Sequence, residues 1–433
     1  MAAPVVLDVT RLALRFQQPV PDGMGRVDLS FGDHFVRGRQ DGCSVVLTVL
    51  GPRVVPNAAA GVIVSELAQY WQEAVQPEAD PGLRYIAARL QPAAGPLPVM
   101  RPSRLPRSWR SLARHAGRVF RDAPLLGRSA LFPGGDPSRT LPRDAIYLNV
   151  GFSPLHTPAY FRFLQRRPDV KRAFLLHDQL PVQFPEYFLA KTRADHERAL
   201  GTILSLASAI IVTGDVTRAA LADYCRIRNW PLPPILVAPL AVTPVFREPQ
   251  VFDPALAATP YLVTCGTIEP RKNHLALLQI WRDMAVRMGP ETPKLVIVGT
   301  RGWENENVID MLDRCDAIRP HVIEIARLST PALKRLLDNA RGLLMPSFGE
   351  GFGLPVAEAL AVGTPVVASD IAAFRNFRTA GAALIDPIDA PAWRTEILRL
   401  AARPGPQPRP DRQQPDWTDV DYFRNIESFL VSL

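Results

Sequence analysis

The sequence predicts an α/β protein of two doubly wound domains, and three observations lead to this. The chain of 433 residues exceeds the usual size of a single hydrophobic core, so two domains are the default. Its 47% hydrophobic and 21% charged residues are typical of a globular chain rather than a disordered one. Short β-rich runs alternate with helical patterns through both halves, which is the rhythm of a parallel sheet covered by helices.

In the first half, β-rich runs alternate with helical patterns on either side of a poorly patterned segment. The predicted strands are Val5 to Val9, Cys43 to Val49, Ala145 to Asn149, Arg172 to Leu176, Ala209 to Val212 and Ile235 to Val237. The predicted helices are Val27 to Arg37, Pro185 to Ser205 and Val216 to Arg226. Residues 75–142 are rich in Pro and Arg, and we interpret them as an insertion.

The second half repeats this rhythm more regularly. The predicted strands are Tyr261 to Cys265, Lys294 to Val298, Val322 to Ile325, Gly342 to Met345 and Pro365 to Ala368. The predicted helices are Leu275 to Val286, Val308 to Cys315 and Pro331 to Ala340, the last capped by Thr330. We therefore place the first domain at residues 1–247, the second at 248–410 and a terminal helix within 411–433.

Charge is concentrated in the predicted insertion. The net charge is +8, and seven arginines with no acidic residue lie between Arg101 and Arg121. From Arg107 onward they recur every three or four residues between apolar side chains, which indicates a basic amphipathic helix. Such a helix either lies on an anionic membrane surface or packs on the domain with its arginines in water. Because no nucleic-acid-binding module accompanies the charge, we expect no nucleic-acid partner.

Cysteine usage and hydropathy predict a cytoplasmic protein. The four cysteines are widely spaced, with neither a metal nor a disulfide pattern. The first residues lack a basic segment ahead of a long apolar core, so we expect no secretory signal. No apolar run approaches the length of a membrane span, and we expect the protein not to cross a bilayer.

Two glutamates flank a glycine-rich turn at the start of a predicted helix, in Glu350-Gly-Phe-Gly-Leu-Pro-Val-Ala-Glu358. Pro355 suits the first helical position, so the N–H groups of residues 351–354 would face outward at the positive end of the helix. Such a terminus attracts phosphate, and carboxylates accept hydrogen bonds from sugar hydroxyls. The combination predicts a site for a nucleotide-sugar.

A pair of cations lies at an equivalent point earlier in the second half. Arg271 and Lys272 follow its first predicted strand and come just before a helix. Two cations beside a helix N-terminus predict a diphosphate site. They would stabilise a departing nucleoside diphosphate without a metal ion, and we expect neither a metal nor a cofactor beyond the nucleotide-sugar co-substrate.

These two segments carry a resemblance to a known family. The stretch from Pro346 to Asp370 resembles the donor-site signature of glycosyltransferase family 4, bacterial polysaccharide-type retaining enzymes of the GT-B fold. The stretch from Gly266 to Asn273 resembles that family's second signature, although Thr267 stands where some relatives carry another arginine. The resemblance implies two Rossmann-like domains facing each other across a cleft, and a terminal helix that crosses back to the first domain.

The same resemblance implies roles for individual residues of the second domain. Arg271 and Lys272 would hold the donor diphosphate. Glu350 would contact the donor sugar, and Glu358 would bind the ribose hydroxyls. Main-chain N–H groups would reach the sugar and phosphates from Phe352, Gly353 and Leu354.

In the first domain, two further segments resemble family features. His177 and Asp178 follow a predicted strand and resemble a His–Asp segment whose histidine orients the transferred sugar. Asp178 either orients the imidazole or reaches the acceptor. Gly23-Met-Gly25-Arg26 resembles a glycine turn that lets phosphate or acceptor groups approach the backbone. Arg26 is then either an anion contact or a solvated arginine.

The function expected from these features is retaining transfer of a hexose, with mannose from GDP-mannose favoured. The acceptor would be a saccharide or a lipid-linked saccharide in cell-surface polysaccharide biosynthesis, and the protein could associate with the inner face of the membrane. Two alternatives stay open. One is a nucleotide-sugar epimerase of the same two-domain form, and the other is a non-catalytic protein that binds nucleotide-sugars.

Overall fold

The first sheet has seven strands in the order β3-β2-β1-β4-β5-β6-β7. The computed structural model describes residues 3–15, 21–48, 51–73, 76–91, 134–152, 154–404 and 419–433. The strands are β1 Val5–Asp8, β2 Cys43–Thr48, β3 Gly51–Pro56, β4 Ile146–Asn149, β5 Lys171–Leu176, β6 Ala209–Val212 and β7 Ile235–Val237. All neighbours run parallel except β2 and β3, which form an antiparallel edge pair.

The second sheet has six strands in the order β10-β9-β8-β11-β12-β13, and all of its neighbours run parallel. The strands are β8 Tyr261–Cys265, β9 Lys294–Val298, β10 Val322–Ile325, β11 Gly342–Met345, β12 Val366–Ser369 and β13 Ala383–Ile385. Hydrophobic clusters cover both faces of each sheet, and the central strands are therefore continuous apolar runs rather than alternating ones.

The helices lie between the strands and cover the sheets. In the first part of the chain they are α1 Thr10–Leu14, α2 Gly23–Gly32, α3 Asn57–Glu73, α4 Pro81–Leu90, α5 Pro137–Thr140, α6 Arg162–Gln165, α7 Leu180–Gln183, α8 Ala190–Leu206 and α9 Asp215–Arg228. The later ones are α10 Pro254–Ala257, α11 His274–Met288, α12 Glu306–Arg314, α13 Thr330–Asn339, α14 Leu354–Val362, α15 Ala372–Arg375, α16 Ala390–Ala401 and α17 Asp419–Val431. Two doubly wound domains result, so the predicted fold class is confirmed.

Local details differ from the prediction where short or proline-rich segments form regular structure. The edge strand β3 contains two prolines, and β13 has three residues, so neither gave a strand pattern. The predicted cap Thr330 is the first residue of α13, and Ser329 is the cap instead. The Ser329 side chain accepts a hydrogen bond from the N–H of Ala332. The helix predicted from Pro185 begins at Ala190, after a short 3-10 turn.

The predicted domain boundary near residue 247 falls between β7 and β8. Other segments of the chain also connect the two domains, because they pack on the domain to which they were not assigned. Helix α4 packs on the second domain, where Leu83, Ile86 and Leu90 belong to the same core cluster as β10. Asp80, the cap of α4, also accepts a hydrogen bond from the N–H of Ser329 at 2.9 Å. This part of the predicted insertion therefore covers the second domain rather than the first.

The last helix, α17, follows the second domain in the chain but packs on the first. In α17, Phe423 packs edge-on against Phe31 of α2 at 5.1 Å between ring centroids. Tyr422, Ile426 and Leu430 are buried in the same first-domain cluster. The basic stretch from Arg101 to Arg121 lies outside the described residues. Within the described part of the chain, no helix combines the length and apolar character that spanning a membrane would require.

Candidate functional site

The two predicted cations and the first predicted glutamate meet at the carboxyl ends of β8 and β11. Arg271 and Lys272 lie in the 3-10 turn Pro270–Lys272 after β8, and Glu350 lies in the loop after β11. The Lys272 Nζ lies 2.6 Å from Glu350 Oε1, and the Arg271 Nη1 lies 2.8 Å from Glu350 Oε2. In open α/β sheets, this edge is where ligands bind.

Two neighbours that the sequence analysis did not single out complete this arrangement. The Ser347 hydroxyl donates a hydrogen bond to Glu350 Oε1 at 2.7 Å, and Arg271 Nη2 pairs with Glu269 Oε1 at 2.6 Å. We call Glu269, Arg271, Lys272, Ser347 and Glu350 the ion cluster. Ser347 and Glu269 stand within three residues of predicted site residues, and that proximity was the only sequence signal for them.

The ion cluster is buried, and its charges balance. Burial alone would raise the pKa of Glu350, but Lys272 and Arg271 outweigh it and lower the pKa to about 2. Glu350 is therefore an anion at neutral pH. Burial raises the pKa of Glu269, although Arg271 and Lys272 oppose this. Two cations face two carboxyl groups, so an arriving diphosphate would compete with carboxylates that are already in place.

The turn after Glu350 is tightly packed and requires glycine. Gly353 is the N-cap of α14 and has a φ of +97°, in the region that favours glycine. A Cβ there would also lie 2.4 Å from the Phe374 ring. The side chains of Phe352 and Leu354 pack into hydrophobic clusters, so any polar contacts that these residues make with a ligand would come from the main chain.

His177 and Asp178 of the first domain face this turn. A Cβ at Gly351 would lie 2.7 Å from Asp178 Cβ and 2.8 Å from the His177 carbonyl, so the two segments are in close contact. The His177 Nε2 lies 3.2 Å from the Val150 carbonyl oxygen. Burial and, to a lesser extent, the Arg11 cation lower the pKa of His177 to about 4, so the imidazole is neutral at pH 7.

The second predicted glutamate pairs with a residue of the first domain. Glu358 of α14 is buried, and its Oε1 accepts a short hydrogen bond from Arg26 Nη2 of α2. Burial raises the pKa of Glu358, and Arg26 opposes this. The Arg26 guanidinium also lies 5.8 Å from the centroid of the Phe246 ring. Arg26 is therefore an ion-pair partner rather than a solvated arginine.

The predicted glycine turn near residue 23 has a different form. Gly23 and Gly25 lie in the first turn of α2, and the Asp22 cap accepts a hydrogen bond from the N–H of Gly25 at 2.6 Å. A Cβ at Gly25 would lie 3.2 Å from Arg15 and from Trp71, so glycine serves close packing here. The helix begins earlier than predicted because Asp22 caps it and offsets the low helix propensity of the two glycines.

Beneath this turn lies a network of charged residues that the sequence analysis missed. Arg11 and Arg15 each pair with Asp28, at 3.2 and 3.1 Å. Burial raises the pKa of Asp28 to about 6, although both arginines oppose this. The spacing of four residues between Arg11 and Arg15 just after β1 is a weak signal that could have pointed to this network.

Aromatic rings from both domains lie beside the ion cluster. Tyr187 of the first domain stacks on Phe348 at 5.6 Å between centroids, and Phe184 packs against Gly349. The indole N–H of Trp303 donates a hydrogen bond to the Tyr187 carbonyl at 3.1 Å. The loop that carries Glu350 is thus held between the domains.

A cavity of about 900 Å³ opens next to the Arg26–Glu358 pair. Both domains and α17 contribute to its walls, which include Arg26, Trp71, Leu240, Leu354 and Phe423. None of the five residues of the ion cluster is among the described residues that line this cavity.

Residues 259–403 match the family model described as glycosyl transferases group 1. The chain is 30% identical over 230 residues to O-antigen chain mannosyltransferase B of Escherichia coli, covering 52% of this chain and 59% of that protein. It is 37% identical over 147 residues to O-antigen chain mannosyltransferase RfbU of Salmonella typhimurium, covering 33% of this chain and 39% of that protein. The matched region thus spans between about two-fifths and three-fifths of these relatives.

Among solved structures, Anabaena HepE in complex with UDP aligns over 100% of both chains, with a TM-score of 0.55 and 16% identity. A UDP-forming alpha,alpha-trehalose-phosphate synthase from Burkholderia vietnamiensis aligns with a TM-score of 0.53 and 14% identity, over 76% of this chain and 79% of that one. The fold is GT-B, as predicted. Residues 259–403 are similar to the glycosyl transferases of group 1, so the predicted resemblance is confirmed for this part of the chain.

Proposed function

We propose that the chain is a retaining glycosyltransferase that acts in cell-surface polysaccharide biosynthesis. It transfers a hexose, with mannose favoured, from a nucleoside diphosphate sugar to a saccharide or lipid-linked saccharide acceptor. The observation that carries the proposal is the ion cluster, in which Arg271, Lys272 and Glu350 meet between two domains. The mannosyltransferases among the relatives support the choice of sugar.

Donor binding exchanges partners within the ion cluster. The donor diphosphate binds to Arg271 and Lys272, which are already held beside the turn that precedes α14. The positive end of that helix and its main-chain N–H groups add to the attraction for phosphate. Glu350, released from its two cations, then accepts hydrogen bonds from the hydroxyls of the sugar.

His177 acts as a neutral hydrogen-bonding group. A carbonyl oxygen only accepts, so the contact with Val150 places the imidazole proton on Nε2. Nδ1 is then the acceptor that can bind a hydroxyl of the transferred sugar and orient it. Asp178, whose Oδ1 accepts from the N–H of Leu180 at 3.1 Å, keeps a second oxygen for the acceptor.

The transfer step follows from these placements. The bond between the anomeric carbon and the β-phosphate oxygen breaks, while the acceptor oxygen bonds to the same face of that carbon. The departing phosphate takes the acceptor's proton. Negative charge grows on the diphosphate in the transition state, where Arg271 and Lys272 stabilise it in a site already shielded from water.

A transfer assay tests this function. The purified chain is incubated with GDP-mannose or a UDP-hexose and a saccharide acceptor, and the anomeric configuration of the product is determined by NMR. We expect a glycosylated acceptor with the configuration of the donor. An altered sugar nucleotide formed without acceptor would instead identify an epimerase. Tight nucleotide binding with neither transfer nor hydrolysis would identify a binding protein.

We further propose that the chain acts at the cytoplasmic face of the membrane, attached through the basic stretch from Arg101 to Arg121. Each basic residue near an anionic surface contributes on the order of 1 kcal/mol. Flotation with vesicles that contain an anionic phospholipid should therefore weaken when Arg107, Arg110 and Arg114 are replaced by Glu. Equal flotation of the two proteins would contradict this attachment.

A further inference from the structure

The Arg26–Glu358 pair is separate from the ion cluster and joins the two domains. Arg26 lies near the start of α2 in the first domain, and Glu358 lies in α14 of the second. The side chains are 11% and 1% exposed. The partners are separated by 332 residues along the chain, so the pair exists only while the domains are together.

The pair leaves both partners with unused hydrogen-bonding capacity. Glu358 Oε2 and Arg26 Nε are buried, and within the part of the chain that the structure describes neither has a hydrogen-bond partner. An unsatisfied buried polar atom costs roughly 1–3 kcal/mol, and more when the group is charged. The pair is thus an incompletely satisfied arrangement that partners offering more hydrogen bonds can replace.

The pair also lies close to the ion cluster. Glu358 lies in α14, which begins at Leu354, four residues after Glu350, and Glu350 is the partner of Lys272. The two pairs therefore lie at either side of the same turn. Burial and, to a lesser extent, Glu358 raise the pKa of the nearby Cys265 thiol to about 12, while Arg26 and Lys272 oppose this. The cavity borders Arg26 as well, so the guanidinium has space to move.

We propose that Arg26 changes partners when the donor binds. It separates from Glu358 and binds the donor's diphosphate instead. This inference rests on the proposed function. The ribose hydroxyls then donate to both oxygens of Glu358, including the one that lacks a partner. The guanidinium, with five N–H donors in a planar fork, forms a bidentate contact with a phosphate. Arg26 is thus a donor-binding residue from the first domain, and it contacts the diphosphate only after the ribose has displaced it.

Matched ligands with and without the diphosphate test this exchange. Dissociation constants are measured by calorimetry for GDP and guanosine and for UDP and uridine, with the unchanged chain and with Arg26→Gln. The substitution frees Glu358, so we expect it to tighten nucleoside binding about fivefold, which is about 1 kcal/mol. It also removes a phosphate contact, so we expect it to weaken diphosphate binding at least about fivefold.

The control is Arg37→Gln, which removes an equal charge from the helical turn after α2, where Arg37 pairs with Asp33 at the surface. It should leave all four constants unchanged. Arg26→Lys keeps the charge but not the bidentate geometry, and it should weaken diphosphate binding while nucleoside binding changes little. If Arg26→Gln does not fold, Arg26→Lys is used for the test instead.

Three outcomes would overturn the proposal. If Arg26→Gln tightened the binding of nucleosides and of nucleoside diphosphates by the same factor, Arg26 would only obstruct the site. If Arg26→Gln left all four dissociation constants unchanged, the pair would be purely structural. If the unchanged chain binds none of the four ligands, the proposed function fails together with this inference, whereas in the first two cases only the inference fails.

Discussion

Glu350 is the counterion of two buried cations before any substrate arrives, and its substitution therefore affects stability as well as activity. The role that the resemblance implies for Glu350 is contact with the donor sugar, and from that role alone Glu350→Ala would abolish transfer and leave the fold intact. The structure shows instead that Lys272 would lose its carboxylate partner, and that Arg271 would keep its pair with Glu269 and its hydrogen bond to the Gly349 carbonyl. Removing one partner of a buried ion pair typically costs about 3–5 kcal/mol.

Glu350→Gln should therefore destabilise the protein in a manner that depends on pH. The pKa of Glu350 is about 2 in the folded chain and near its ordinary value of 4.5 in the unfolded chain, so its contribution is present above pH 4.5 and is lost as pH falls towards 2. Urea unfolding should show a loss of about 3 kcal/mol at pH 7 that shrinks to about 1 kcal/mol at pH 3. An equal loss at both pH values would contradict the assigned pairing.

His274 gives a second pH-dependent prediction. It is buried at the start of α11, where neither ring nitrogen has a hydrogen-bond partner among the described residues, and burial lowers its pKa to about 3. Between pH 6.5 and 3 the unfolded chain binds a proton that the folded chain does not. The free energy of unfolding should therefore fall by about 2 kcal/mol from pH 7 to pH 5 on account of this residue.

His274→Leu should remove that part of the pH dependence, as measured by urea unfolding at the two pH values. His156→Gln is the matched control, because His156 is exposed, and it should leave the dependence as it was. If His274→Leu unfolds with the same pH dependence as the unchanged chain, the histidine is not held neutral by burial.

At the scale of elements, the turn that leads into α14 is the most constrained part of the site. It carries Glu350 at one end, and Gly353 at the other has a positive φ with no room for a side chain. The sequence allowed this strand, turn and helix to be predicted, because β11 is a continuous apolar run and Pro355 and Gly363 mark the helix. The φ of Gly353 and its contact with Phe374 could not be predicted, since both depend on packing.

Gly353→Ala should cost at least about 2 kcal/mol, because a Cβ at φ +97° is strained and would overlap the Phe374 ring. Gly214 provides the control. It is the N-cap of α9 with an extended φ of −175°, and a Cβ there meets no atom within 4 Å. Gly214→Ala should therefore cost less than about 1 kcal/mol. Similar midpoints for the two variants in urea unfolding would argue against strain at Gly353.

Whole-molecule organisation follows from contacts that cross between the domains. Helix α4 is buried on the second domain, α17 on the first, and Tyr187 stacks on Phe348 between them. Each sheet could be predicted from its own run of strands. These connections could not, because their partners are far apart in sequence, as with Arg26 and Glu358. The same reason explains why the residues of the site could be named from the sequence while their pairings could not.

The central claim is that the ion cluster binds the diphosphate of a sugar donor, and nucleotide binding by two matched lysine variants tests it most directly. Lys272 pairs with Glu350 in the cluster, and Lys334 is a similarly buried lysine of the same domain that pairs with Asp338 at 2.7 Å. Lys272→Met and Lys334→Met each remove the lysine from a buried ion pair, so both should lower stability, although Glu350 keeps its pair with Arg271.

Calorimetric titration with GDP and UDP, below the unfolding temperature of both variants, separates the two lysines. We predict that Lys272→Met binds the nucleotide that the unchanged chain binds with at least about tenfold lower affinity. The reason is that the substitution removes a charge-assisted contact to phosphate. Lys334→Met should bind that nucleotide as the unchanged chain does. Equal affinity of Lys272→Met and the unchanged chain would contradict the assignment of the site.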